Sequence, residues 1–162
     1  MGEAGDGGGS ELTHCVELRS AKHAHLQLGK LYAYGGKTLT PADRDGATIA
    51  VDEPEALSWF VRGAEQGDVD CMFCCASMLN SGMGDRPRRA KEAAAWYRKA
   101  VEQGDTKAMY NLAQMLLADD GGLAADFNAA ESLLAQAAEL GNAEAAAELP
   151  GLRDFMLRMG PQ

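Results

Sequence analysis

Glu65-Gln66-Gly67-Asp68 recurs as Glu102-Gln103-Gly104-Asp105 and again as Glu139-Leu140-Gly141-Asn142, each copy 37 residues after the last. A fixed period of this size marks a repeat architecture, in which one small unit stacks on copies of itself. The rest of the unit keeps the same register. Trp59-Phe60 returns as Trp96-Tyr97 and then as Leu133-Leu134, while Phe73, Cys75, Ala76, Met78 and Leu79 match Tyr110, Leu112, Ala113, Met115 and Leu116. An earlier copy runs through Leu26, Leu28, Gly29, Leu31 and Tyr32, with ten extra residues before Asp52.

Each unit reads as two helices. Positions 108, 112, 115 and 116 follow helical spacing, as do 93, 96, 97 and 100. Gly67, Gly104 and Gly141 stand where a left-handed residue ends a helix, and Asp68, Asp105 and Asn142 follow as N-caps for the next. Asp52 with Pro54 and Glu55 is a second start signal inside the unit. The spacing predicts first helices near 21–34, 69–81 and 106–118, and second helices near 54–66, 88–103 and 127–140. At the ends, Leu12 and Val16 fall in register with Trp96 and Ala100, so residues 11–19 are expected to supply a capping helix. Asn142 to Leu149 opens a fourth unit, Pro150-Gly151 is expected to interrupt it, and Leu152, Phe155, Met156 and Met159 form a short closing helix. Terminal units of this atypical kind cover the apolar faces that an internal repeat exposes.

Composition agrees with an all-α fold. The 162 residues include 29 alanines but only five valines and one isoleucine. Alanine is the best helix former, whereas strands need β-branched and aromatic side chains. The net charge of -9 disfavours nucleic acid as a partner, because phosphate contacts need a basic face. There is no run of 18 apolar residues for a membrane span. Residues 1–10 read as a flexible Gly-rich leader without the features of a secretory signal, which makes the cytoplasm the expected compartment, an organelle matrix being the other option.

The stretches Ala93-Ala-Ala-Trp96-Tyr97-Arg-Lys-Ala-Val-Glu-Gln-Gly104 and Ala108-Met-Tyr-Asn-Leu112-Ala-Gln-Met-Leu, with Gly122-Leu123-Ala-Ala-Asp126 and Ala129-Ala130, resemble Sel-one-like repeats, relatives of the tetratricopeptide repeat. The resemblance spans roughly residues 21–148, with repeats at about 21–67, 68–104 and 105–141 and a partial fourth at 142–162, so that residues 11–162 form one repeat domain. The chain departs from the pattern at Arg89, where Asp52 and Asp126 keep the usual Asp, and in the ten-residue insertion. What the resemblance implies is a right-handed α-α superhelix (solenoid) of three helix-pair repeats with terminal capping helices. Its expected role is a noncatalytic scaffold or adaptor that binds a partner polypeptide along the concave face, free or as a fixed subunit of a larger complex.

By the same resemblance the first helix of each pair lines the groove. Its outward positions are Lys30 and Tyr34 in the first unit, Asp70, Phe73, Ser77 and Asn80 in the second, and Lys107, Tyr110 and Gln114 in the third. Phe73 and Tyr110 carry most weight as partner anchors, since exposed aromatics are enriched at interface hot spots; the other reading packs both rings into the helix stack. A second patch, Arg86, Arg88, Arg89 and Lys91, opposes the dipole at a helix start and suits an acidic partner segment, or else a solvated face. The middle unit holds five acids against six bases, and the third holds six acids against one base.

No catalytic constellation stands out, and no cofactor is expected. The alternative from another class is metal, haem or thiol chemistry at Cys71, Cys74 and Cys75, with His14, Cys15, His23 and His25 as co-ligands. Against it, Cys71 and Cys75 occupy the positions of Ala108 and Leu112, as buried small side chains would. The insertion between Lys37 and Val51 holds a partial calcium-loop pattern around Asp43 and Asp45, with Pro41 at the first ligand position.

Overall fold

The computed structural model describes residues 21–37, 48–82, 87–118 and 125–160. The leader, the expected cap at 11–19, His14, Cys15, the side chain of His23, most of the insertion with Asp43 and Asp45, and Arg86 lie outside the described residues. The helices are α1 (Ala21–Tyr34), α2 (Glu53–Glu65), α3 (Val69–Ser81), α4 (Ala90–Glu102), α5 (Thr106–Leu117), α6 (Phe127–Glu139) and α7 (Ala143–Met159). Between α1 and α2 lie two-residue strands, β1 (Gly36–Lys37) and β2 (Thr48–Ile49), which pair antiparallel with Gly36 opposite Ile49. The chain divides into two compact units, Met1–Cys71 and Met72–Gln162.

Each repeat boundary is one turn built three times. Gly67, Gly104 and Gly141 sit at φ of 83°, 83° and 92°, a region that side chains with a Cβ rarely enter. The following residue then folds its N–H back onto the helix end: Asp68 to the Gly63 carbonyl at 3.1 Å, Asp105 to Ala100 at 3.1 Å, and Asn142 to Ala137 at 2.9 Å. This is the Schellman closure, which satisfies carbonyls that the helix end leaves unpaired. The same three residues cap the next helix, accepting from the N–H groups of Cys71, Ala108 and Ala145 at 3.0, 2.6 and 2.8 Å.

The turn within each unit is also built to one plan. The residue before the second helix donates its N–H to a carbonyl near the end of the first: Asp52 to Tyr32 at 2.9 Å, Arg89 to Leu79 at 2.8 Å, and Asp126 to Leu116 at 3.2 Å. Asp52 and Asp126 also cap by side chain, to Glu55 and Ala129. Arg89 makes no such cap. Its guanidinium instead holds Glu92, one turn on, at 2.5 and 2.7 Å. The ten-residue insertion leaves the Asp52–Tyr32 bond intact, with the β1–β2 pair between the two ends.

Packing follows the register. In the first unit Gly29 of α1 lies under the ring of buried Phe60, and a Cβ at Gly29 would stand 2.5 Å from the Phe60 Cδ1. In the other repeats the matching pairs are Ala76 with Tyr97 and Ala113 with Leu134, all buried. The third repeat and α7 share a core of Met109, Ala113, Ala130, Leu134, Ala137 and Ala145, with Leu149 and Leu152 packed against it.

The expected break at Pro150-Gly151 does not occur: α7 runs unbroken from Ala143 to Met159 with Pro150 inside it. Proline removes the N–H that would reach the Ala146 carbonyl and crowds that turn. Both residues face outward and are exposed, so water can satisfy the carbonyl, while Leu149 and Leu152 hold the opposite face on the core. Pro150→Ala is expected to raise stability by about 1–3 kcal/mol, read as a higher Tm with unchanged helicity at 20 °C. Gly29→Ala is expected to cost about 1–3 kcal/mol from overpacking. Adding Phe60→Leu, which copies the Ala113 and Leu134 pair, should recover most of that loss in a urea melt.

Candidate functional site

The candidate residues of the first helices differ in what they touch. In the first repeat Lys30 is exposed and Tyr34 has a fractional exposure of 81%, and Asp70 of the second repeat is exposed as well. In the second unit Phe73 is half-buried, its ring 5.9 Å from that of Tyr97 at 59°. Ser77 shares a hydrogen bond with the Tyr97 hydroxyl, whose pKa burial pushes up to about 12. Asn80 is engaged from the loop: the Arg88 guanidinium donates to its carbonyl at 2.5 Å and to its Oδ1 at 2.6 Å. Lys107 stands exposed.

Tyr110 and Gln114 meet at a single carboxylate. The Tyr110 hydroxyl donates to Oε1 of Glu148 at 2.6 Å, and the Gln114 Nε2 donates to Oε2. This ties the third first helix, α5, to α7, the first helix of the partial fourth unit. Glu148 raises the Tyr110 pKa above the ordinary tyrosine value, because the neutral phenol donates to a carboxylate that a phenolate would repel. The signal for Glu148 was available in the register, since it lies 37 residues after Asn111. It is obscured when the last unit is read only as a cap.

Two residues of the basic patch make contacts within the fold. Arg88 bonds Asn80 and Arg89 pairs with Glu92, while Lys91 remains exposed. On the second helices a different arrangement recurs, with Arg62 over the Trp59 ring at 4.8 Å and Lys99 over Trp96 at 3.9 Å. These cation–π pairs cover the indoles of the second helices.

The cysteines behave as packing residues. Cys71 and Cys75 are fully buried and Cys74 is half-buried. A Cβ at Gly63 would collide with the Cys71 Sγ and lie 2.9 Å from the His25 Cβ, so the thiol fills the space beside Gly63. Burial pushes the Cys75 pKa up to about 12, which suppresses the reactive thiolate. The His25 ring packs 5.9 Å from Trp59. Among the described residues no three His, Cys, Asp or Glu side chains converge on a point where a metal ion could sit.

Helix pairs closed by glycine turns and repeated every 37 residues define a helical-repeat fold. The Sel1 repeat model matches residues 22–68, 70–105 and 106–142, and the chain belongs to the Sel1 repeat family. Among solved structures it is similar to a protective antigen of uropathogenic Escherichia coli strains that displays an SLR fold, with 26% identity and a TM-score of 0.66 over 86% of this chain. It is also similar to a Sel1 repeat protein from Oxalobacter formigenes, with 25% identity and a TM-score of 0.67 over 86% of this chain. The matches span 27% and 51% of those two chains. No curated protein matches the sequence. No described helix is long and apolar enough to cross a membrane.

Two chemical measurements check the site. With thiol reagent at pH 8, Cys71 and Cys75 are expected to label only on unfolding, with peptide mapping locating the modified residues. In a tyrosinate absorbance titration, Glu148→Gln is expected to move one late transition down toward pH 10, and Tyr110→Phe to remove that transition. The linkage sign is set by the raised pKa: the contribution of the Tyr110 bond to stability is complete below about pH 10, the unfolded value, and is lost as pH rises through the higher folded value.

Proposed function

We propose that this chain is a noncatalytic protein-interaction scaffold that holds a partner polypeptide along the outward face of its first helices. The observation that carries the reading is the division of labour on those helices. One side of these helices packs into the core, while the other carries exposed Asp70 and Lys107 beside half-buried Phe73, Tyr110 and Gln114, which the fold itself holds in place through Tyr97 and Glu148. Phe73 and Tyr110 are half-buried, and aromatics fixed in this way lose little side-chain freedom on binding. Membership of the Sel1 repeat family, whose members generally scaffold protein complexes, supports the same reading. We place its work in the cytoplasm, where Cys71, Cys74 and Cys75 would stay reduced.

Site-specific photo-crosslinking in cells tests the reading. A crosslinker at Lys107 or Gln114 is expected to trap one defined partner, and the same group at exposed Arg98 on a second helix is expected to trap none. Equal trapping from both faces, or trapping only from α4, would sink the assignment. Lys107→Glu, which touches no packed residue, is expected to weaken capture by about tenfold without shifting Tm.

A further inference from the structure

The last two turns of α7 carry three large exposed apolar side chains. Phe155, Leu157 and Met159 have fractional exposures of 44%, 82% and 54%. Beside them an open cleft of about 700 Å³ runs between this end of α7 and the start of α6, where the Phe127 ring lies 5.6 Å from that of Phe155. Single exposed apolar residues need no explanation, but three within five residues on one helix end form a patch that water does not favour. The charges among them have a definite order. Asp154 and Arg158 lie one turn apart on the outward side, and Arg158 reaches Asp154 at 2.6 Å with both side chains largely exposed.

We infer that this end of α7 pairs with α7 of a second copy of the chain, antiparallel about Met156. The segment Asp154-Phe155-Met156-Leu157-Arg158 is self-complementary in charge. When two such helices run antiparallel with Met156 at the centre, Asp154 faces the partner's Arg158 and Arg158 faces the partner's Asp154. Phe155 then lies beside the partner's Phe155 on one flank of this charge square, and Leu157 beside the partner's Leu157 on the other. One patch meeting its own copy across a two-fold axis is the geometry of an isologous dimer. Parallel packing in the same register would set Asp154 against Asp154 and Arg158 against Arg158, so the charges select the antiparallel arrangement. A contact of two turns per copy is below the size of a permanent interface, so association is weak, with a dissociation constant on the order of 0.1 mM.

Sedimentation equilibrium of the 162-residue chain from 20 μM to 1 mM tests the inference. The expected result is a monomer–dimer equilibrium that Leu157→Glu weakens at least tenfold with unchanged circular dichroism. Asp154→Arg and Arg158→Asp should each weaken it similarly, because each places two like-charged pairs across the axis. The two substitutions in one chain, or an equimolar mixture of the two singly substituted chains, should restore association. A chain that stays monomeric at 1 mM overturns the second copy as the occupant and leaves the patch to a different polypeptide. Dimerisation that survives either charge reversal overturns the antiparallel register and the proposal with it. None of these outcomes bears on the first-helix face, whose crosslinks report on a separate surface.

Discussion

The structure depends on one steric constraint, the close approach of the two helices in each pair over a small residue. Where Gly29 faces Phe60, even one methyl group has no room. The third repeat fills the same volume differently, with Ala113 opposite Leu134. Core packing tolerates such exchanges when total volume is kept, and loses stability when one side changes alone. The high alanine content is the sum of many such sites, including Ala56, Ala93 and Ala130, each fully buried on a second helix.

Two backbone devices hold that approach in place. The glycine turn closes one unit and caps the next within four residues. The bond from the residue at 52, 89 or 126 to a first-helix carbonyl fixes where the second helix begins. The second device explains why the departures from the repeat pattern are tolerated. A backbone N–H serves whether the residue is Asp or Arg, so Arg89 forgoes the side-chain cap and keeps the start. The bond spans the insertion as well, because it needs only that the loop ends return to the same separation, and the β1–β2 pair joins residues near both ends. Loop length carries a small entropic cost compared with losing a buried contact.

The outward row shows how far a face can be read from periodicity. Counting along the helices proposes the positions, since a helix repeats its direction every 3.6 residues. It could not say which of them the fold also uses. Phe73 and Ser77 both engage Tyr97, Asn80 holds Arg88, and Tyr110 with Gln114 binds Glu148. Four of these contacts join residues from different helices, and no spacing within one helix encodes them. The same limit applies to the cysteines. Their match to Ala108 and Leu112 points to packing, but only the Cys71 contact with the Gly63 position shows why a thiol rather than a larger side chain occupies it.

The 37-residue period, the capping residues and the glycine positions by themselves determined the helix pairs and their ends to within a residue or two, because those signals act over four residues or fewer. Tertiary structure decided what local rules left open or pointed to wrongly. It carried α7 through Pro150, where local chemistry called for a break, because half-buried Leu149 and Leu152 pack on the core on one side and solvent satisfies the other. It also joined Glu148 to α5 and left Phe155, Leu157 and Met159 uncovered at the end of the last helix. Those outcomes depend on which surfaces meet, and a helix does not carry that information until its neighbours are in place.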